Sequence, residues 1–479
     1  MTEKGIFGRL KSRFAPTEGQ TAISLREPYH LGRGRVRVIH HRAPIRVNLL
    51  RAGTELLVCP ELPLQGPPIE EQTSFLLTTP DQCLKGINGF LRLEKPGDSI
   101  VIGKHDRLQT AIFNYRETMD LRRLSITHDG DALVFKALVS DAEIELSPVS
   151  RADTIEKVKG WRLEKLHRIR KFFGGPVQPL AAEEALDSLR AVNAILETEV
   201  YRQLDDRGTP GGVLRLPGEL TPVIVGDLHA QVDNLLTLLS HNGFLEALEN
   251  GDAALIILGD AVHSEMDGQL DEMEDSLLMM DLILRLKQRF PQRLFYVRGN
   301  HDSFSDSVFK FGVAQCLMWE STLRGRRGEA YLAEMRRFYQ RLPYLVLTED
   351  FVACHAAPVK TRFTLDMLIN IYRHPGLVRE LTHNRIRRRN LPAGYTRGDV
   401  KHFRDGLGIA ESTPFFVSHS PLDREHPWWL EAGGIKNHHI VFSANVPWIG
   451  VFTRVRGRMI PLSYRQENLL SFVNGNGNQ

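Results

Sequence analysis

Cysteine is scarce in this 479-residue chain, which has four (Cys59, Cys83, Cys316 and Cys354), widely spaced and with no Cys-x-x-Cys pair. That spacing offers no thiolate zinc site and fits a reducing compartment, so a cytoplasmic location is expected. Long apolar runs are also missing: none approaches the roughly 18 residues of a membrane-spanning helix. The opening stretch MTEKGIFGRLKSRF scatters charges among its apolar residues. It lacks the continuous apolar core of a secretory signal. Neither sign of charge dominates, with 61 basic and 58 acidic residues and a net charge of +3. Composition therefore selects no polyanionic partner, and nucleic acid is not expected. What is present is 42% hydrophobic residues over a length that suits two or three domains with sizeable cores.

Local pattern divides the chain into zones. Residues 1–150 carry short β-like runs such as RVRVIH, SIVIG and AEIEL between Gly, Pro and Asp-Gly turns, which predicts an all-β domain. Residues 151–212 change to helical spacing and read as a helical connector. The first helix has a basic face that includes Lys157, Arg162, Lys165 and Arg168, read as solvated. From 213 to 465 apolar strands alternate with helical segments, the signature of an α/β domain. Residues 466–479, ending in NGNGNQ, read as a disordered tail.

In the third zone, apolar runs repeatedly stop at polar side chains. TPVIVGDLHA ends at Asp227 and His229, AALIILGDAVH at Asp260 and His263, LFYVRGNHD at Asn300 and His301, DFVACHAAP at His355, and PFFVSHSP at His419. Buried strands of an α/β domain open at their carboxyl ends into a crevice, so one shared crevice is expected. Any one of these residues has a plainer reading, as a helix cap, a turn residue or a satisfied core histidine. Together, carboxylate and amide oxygens with imidazole nitrogens suit Mn, Fe, Zn or Co. There are too many ligands for one tetrahedral ion. Two ions about 3.5–4 Å apart, sharing a carboxylate, would use them all and would clamp an in-line phosphoryl displacement.

In order and spacing, GDLHAQ, GDAVH, RGNHD, CHAAP and SHSP resemble the blocks of the calcineurin-like metallophosphoesterases. FYVRGNHDSF, YTRGDVKHF and HIVFSANVP are similar to segments of their phosphoprotein phosphatase branch. The resemblance implies a β-sandwich flanked by helices and two divalent metal ions. Asp227 and His229 would hold the first ion, Asp260 would bridge, and Asn300, His355 and His419 would complete the second. A hydroxide bridging the ions would be the nucleophile, His301 would protonate the leaving oxygen, and Arg397, with Asn300, would bind the phosphate. Arg298 belongs to the motif without having to touch phosphate.

Two departures bear on catalysis. The family's second block runs Gly-Asp-x-Val-Asp-Arg-Gly, whereas this chain has His263, Ser264 and Glu265 in the last three places. The carboxylate that orients the acid histidine is thus a histidine, expected to be a spectator or a hydrogen-bonding group rather than a ligand, and one phosphate arginine is a serine. Acid catalysis would then be weaker or would use Glu265, Asp267 or Asp302. The acidic stretch SEMDGQLDEMED would cap the cleft or repel highly charged substrates. The basic run RIRRRN at 385–390 is expected to be solvated, His438 and His439 to lie at the surface or behind the site, and Trp428 and Trp429 to be packing residues.

The N-terminal zone loosely resembles a forkhead-associated β-sandwich, with Asp120, Leu121 and Ala142 where that family reads phosphothreonine; an unrelated β-barrel is the other reading. The expected activity is a phosphomonoesterase acting on phosphoserine, phosphothreonine or phosphotyrosine in proteins, with a protein partner for the β-domain. The alternatives are a nucleotide or dinucleoside-polyphosphate hydrolase and a catalytically weak metal-binding scaffold.

Overall fold

In a strand, neighbouring side chains point to opposite faces, so a fully apolar strand needs cover on both sides. The computed structural model describes residues 21–40, 43–61, 63–65, 74–80, 86–266, 268–306, 308–310, 312–422, 426–444 and 447–475. It separates into two compact units, one made mainly of residues up to Thr154 and one mainly of Ile155 onward.

The first unit has a six-stranded and a four-stranded antiparallel sheet. Their inner faces are apolar, with Val47, Val58, Phe75, Ile126 and Phe135 all buried, and Phe75 of one sheet lies 5.4 Å from the ring of His128 in the other. One short helix, Arg107–Phe113, interrupts the β pattern, capped by the Asp106 carboxylate.

In the second unit, the helices Lys157–Phe173 and Ala182–Glu197 pack on the α/β elements, and residues 202–215, expected within the connector as far as 212, supply two strands of the larger sheet. The basic face of the first helix is not simply solvated. Arg162 is buried against Glu467 at 2.6 Å, Lys165 reaches Glu246 at 3.2 Å, and Arg168 pairs with Glu246 and Glu249. The chain beyond 465 is also ordered through 475. Leu470–Asn474 is helical, Leu469 and Val473 are buried, and the Asn474 amide bonds both backbone groups of Val177. The remaining tail residues lie outside the described ones.

Two mixed sheets form the body of this unit. One has five strands, ordered Leu294–Tyr296, Ala253–Ile257, Thr221–Val225, Trp448–Val455 and Arg458–Arg465; the other has seven and contains Leu345–Leu347, Val352–Cys354, Phe415–Val417 and His438–Val441. Alternation sorts their side chains. Ile224, Ile256, Phe295, Val346, Ala353, Phe416 and Phe452 meet between the sheets. Val352, Cys354, Phe415 and Val417 face the other way, onto Leu381, Val400 and Phe403 of helices. Both sheets thus have apolar cover on two sides, as an α/β sandwich requires. Thr221–Val225, Ala253–Ile257 and Leu294–Tyr296 run parallel, as do Val352–Cys354, Phe415–Val417 and His438–Val441.

Candidate metal centre

Each parallel strand delivers its next loop to the same end of the sandwich. The two sheets are tied there by hydrogen bonds from Ser443 N–H to the Asp227 carbonyl (3.1 Å) and from Gly226 N–H to Ser443 Oγ (2.9 Å). The loops are tight: His229, Ala230, Asp260, His263 and His419 all have positive φ, between 42° and 70°. Non-glycine residues held there mark loops whose geometry is fixed by their surroundings. Gly299 has no room for a side chain, since a Cβ would fall 2.1 Å from Asp260 Oδ1.

The result is a buried cluster containing all six expected ligands. His355 Nε2 lies 3.1 Å from Asn300 Oδ1, 3.1 Å from His419 Nδ1 and 3.3 Å from Asp260 Oδ2. His229 Nε2 is 3.7 Å from Asp227 Oδ2, and His355 Nδ1 is 3.4 Å from Asp227 Oδ1. Two triads suited to a cation, Asp227/His229/Asp260 and Asp260/His355/His419, share Asp260, with the ligand atoms of each within 4.8 Å of one another. This donor set fits a pair of divalent ions with one bridging carboxylate. Backbone carbonyls orient two of the rings: His229 Nδ1 is 3.1 Å from the His263 carbonyl and His355 Nδ1 is 2.6 Å from that of Leu258. Each Nδ1–H donates there, leaving Nε2 turned to the cluster as a ligand needs.

The charges in the cluster are strongly coupled. Burial pushes the Asp260 carboxyl well above its usual range, and the neighbouring Asp227 and Asp302 push it further. Burial opposes a charge on His229, but Glu265, Asp227 and Asp260 outweigh it and hold the ring up at about 9. Burial lowers His355 to about 4 and His419 well below the ordinary histidine range. Cations arriving here would meet neutral imidazoles at His355 and His419, whereas His229 would have to release its proton on binding.

His301 and His263 face each other through their Nδ1 atoms at 2.7 Å. Burial, then His263, pushes His301 well below the usual range, and burial lowers His263 to about 3. His263 thus stands within hydrogen-bonding distance of His301. Ser264 is turned into its own loop, bonding Gln269 and Met266.

Several expected roles change with the coordinates. Asp302 is not free to act as an acid: its buried carboxylate accepts from Gly299 N–H (2.7 Å), Asp260 N–H (3.2 Å) and Tyr296 Oη–H (2.7 Å), fastening the loop instead. Arg397, at the start of the helix Arg397–Leu407, is exposed and donates to the Gly434 carbonyl at 2.7 Å. The arginine against the cluster is Arg385, whose Nε donates to His419 Nε2 at 3.1 Å; it belongs to the run expected to be solvated. His438 is buried and His439 half-buried: His438 Nε2 bonds Tyr395 Oη at 2.8 Å, and the His439 ring stacks on Phe416. Arg298 donates to Tyr344 Oη at 2.7 Å, away from the cluster. Asp267 and Cys83 lie outside the described residues.

Residues 220–448 match the family model described as calcineurin-like phosphoesterase. The chain carries a calcineurin-like phosphoesterase domain. It is 23% identical over 151 residues to the serine/threonine-protein phosphatase with EF-hands 2 of Mus musculus, an alignment covering 32% of this chain and 18% of that protein. The chain thus spans less than a fifth of that relative's length. Among solved structures, it is similar to a protein serine/threonine phosphatase from Saccharomyces cerevisiae (16% identity, TM-score 0.44, 60% of this chain and 90% of the other). It is also similar to a cold-active protein-tyrosine phosphatase from a Shewanella species (15% identity, TM-score 0.37, 53% and 82%). Among the described residues, no helix is long and apolar enough to cross a membrane.

Proposed function

We propose that this chain is a metal-dependent phosphatase that removes phosphate from serine, threonine or tyrosine in proteins, using two divalent ions (Mn, Fe, Zn or Co). The observation that carries the reading is the shared carboxylate of Asp260 between two ligand triads. Bound metals would supply Lewis acidity and a water acidic enough to attack at neutral pH. Asp227 and His229 would hold one ion, Asn300, His355 and His419 the other, and Asp260 would serve both.

His301, directly after the Asn300 ligand, is placed to protonate the leaving oxygen, and His263 fixes its ring through the 2.7 Å contact. A neutral imidazole partner does not stabilise an imidazolium as a carboxylate does, so this is the weak step of the cycle. With Ser264 turned away and Arg397 bonded elsewhere, Arg385 at the rim is the guanidinium that grips phosphate. Arg385→Ala should raise KM for a phosphopeptide about tenfold or more, as loss of a charge-assisted contact implies. An unchanged KM would remove Arg385 from this role. The β-rich first unit serves as the docking module for a protein partner, and Cys59, Cys316 and Cys354, present as thiols, suit the cytoplasm.

The test is a screen of the Mn-loaded chain on p-nitrophenyl phosphate, phosphopeptides and nucleotides. Phosphopeptide turnover lost in Asp260→Asn is expected. Turnover of nucleotides alone would replace the substrate class, and no turnover by the metal-loaded wild type would favour a scaffold, the reading that the low proton affinity of His301 supports.

A further inference from the structure

The loop that lost the phosphate arginine brings in another group. Glu265 stands where the resembling family has glycine, and its side chain is largely buried, 22% exposed. Its Oε1 lies 3.6 Å from His229 Nε2, and Asp227 Oδ2 lies 3.7 Å from the same nitrogen. Since His229 Nδ1 is engaged by the His263 carbonyl, Nε2 is the ring's free ligand atom. Two carboxylates therefore flank one imidazole nitrogen at nearly equal distance. His229, Glu265 and His301 also bring their ligand atoms within 4.8 Å of one another. The same oxygen, Oε1, forms an ion pair with the ammonium group of Lys310.

Resting on the dinuclear reading above, we infer that Glu265 is an additional protein ligand of the ion held by Asp227 and His229, and that Lys310 neutralises this carboxylate in the metal-free chain. A surface ion pair alone would account for Lys310, but it would not require Glu265 to be buried beside a ligand nitrogen. With Glu265 counted, that ion has three carboxylates and one imidazole around it. Such an oxygen-rich set shifts preference toward harder ions such as Mn over softer ones. It also makes that half of the site more anionic, in keeping with the acidic stretch that follows.

The test is Mn²⁺ titration of the chelator-stripped full chain, reading free Mn²⁺ by electron paramagnetic resonance, with circular dichroism confirming the fold. The wild type should bind two ions. Glu265→Gln, which keeps shape and removes charge, should weaken one of them at least about tenfold, a loss of the size seen when metal-site groups are altered, and leave the other unchanged. Lys310→Gln, which removes the competing ammonium, should tighten that same ion. Unchanged affinities in Glu265→Gln, or weakening of the same ion by both variants, would overturn the inference and leave the dinuclear reading standing. A wild type that binds fewer than two ions would overturn both. If Glu265→Gln does not fold, Lys310→Gln decides alone, because a purely structural ion pair predicts no tightening.

Discussion

Gly299→Ala is the substitution the geometry constrains most tightly. A methyl at this position would sit 2.1 Å from Asp260 Oδ1 and 2.8 Å from its Cγ and backbone nitrogen. Ordinary carbon–oxygen contact needs more than 3 Å, so the carboxylate or the backbone must shift by about 1 Å. Either shift breaks the Asp260 Oδ1 bond from His301 N–H (2.8 Å) or the Asp302 bond from Gly299 N–H (2.7 Å). Overpacking costs about 1–3 kcal/mol and a buried hydrogen bond to a carboxylate about 1.5–3 kcal/mol, so the loss is about 3–5 kcal/mol. At a few degrees per kcal/mol, the melting temperature should fall by roughly 10 °C. Because Asp260 is common to both triads, affinity for both ions should fall together. Gly325→Ala is the control: the residue is exposed in the helix Gln315–Arg327 with nothing within 4 Å of the added methyl. It should stabilise by about 0.5–1 kcal/mol. Calorimetry and Mn²⁺ titration on both variants read these effects. A Gly299→Ala chain with wild-type melting and wild-type metal affinity would refute the described approach of the two loops.

Two further outcomes are expected. His263→Asp gives His301 a carboxylate partner, and kcat should rise about tenfold, a fraction of the 10²–10⁴ that a positioned acid contributes; an unchanged kcat with both metals bound would mean that His301 does not donate the proton. The second concerns acid stability. His438 is pushed down to about 3 by burial, then by His439 and Arg404. The unfolded chain, with an ordinary value near 6.5, binds this proton first, so stability is complete above about pH 6.5 and is lost as pH falls toward 3. At pH 5 the loss is about 2 kcal/mol for this one group. Urea unfolding of the metal-free chain at pH 7 and pH 5 should show a smaller difference in His438→Gln, and an equal difference would contradict the assignment.

The residues of the cluster were legible because each follows an apolar strand, and parallel strands of a sandwich must end at one face. Side chains whose direction depends on distant partners were not. Asp302 looks like a spare acid until the Tyr296 hydroxyl and two amide groups claim its carboxylate. The basic helix face could not be recognised as an anchor, because Glu467, which Arg162 meets, lies 305 residues along the chain. Arg385 was hidden in a run of arginines whose composition suggests solvent. His438 and His439 sit on a strand covered on both faces, Ile440 facing one core and Val441 the other, so that His438 is buried and His439 half-buried.

The central claim is that Asp260 joins two metal sites. Metal analysis of the Mn-loaded chain after removal of free ions should give two ions per wild-type molecule and at most one in Asp260→Asn. A single ion in the wild type, or two retained in Asp260→Asn, would contradict it.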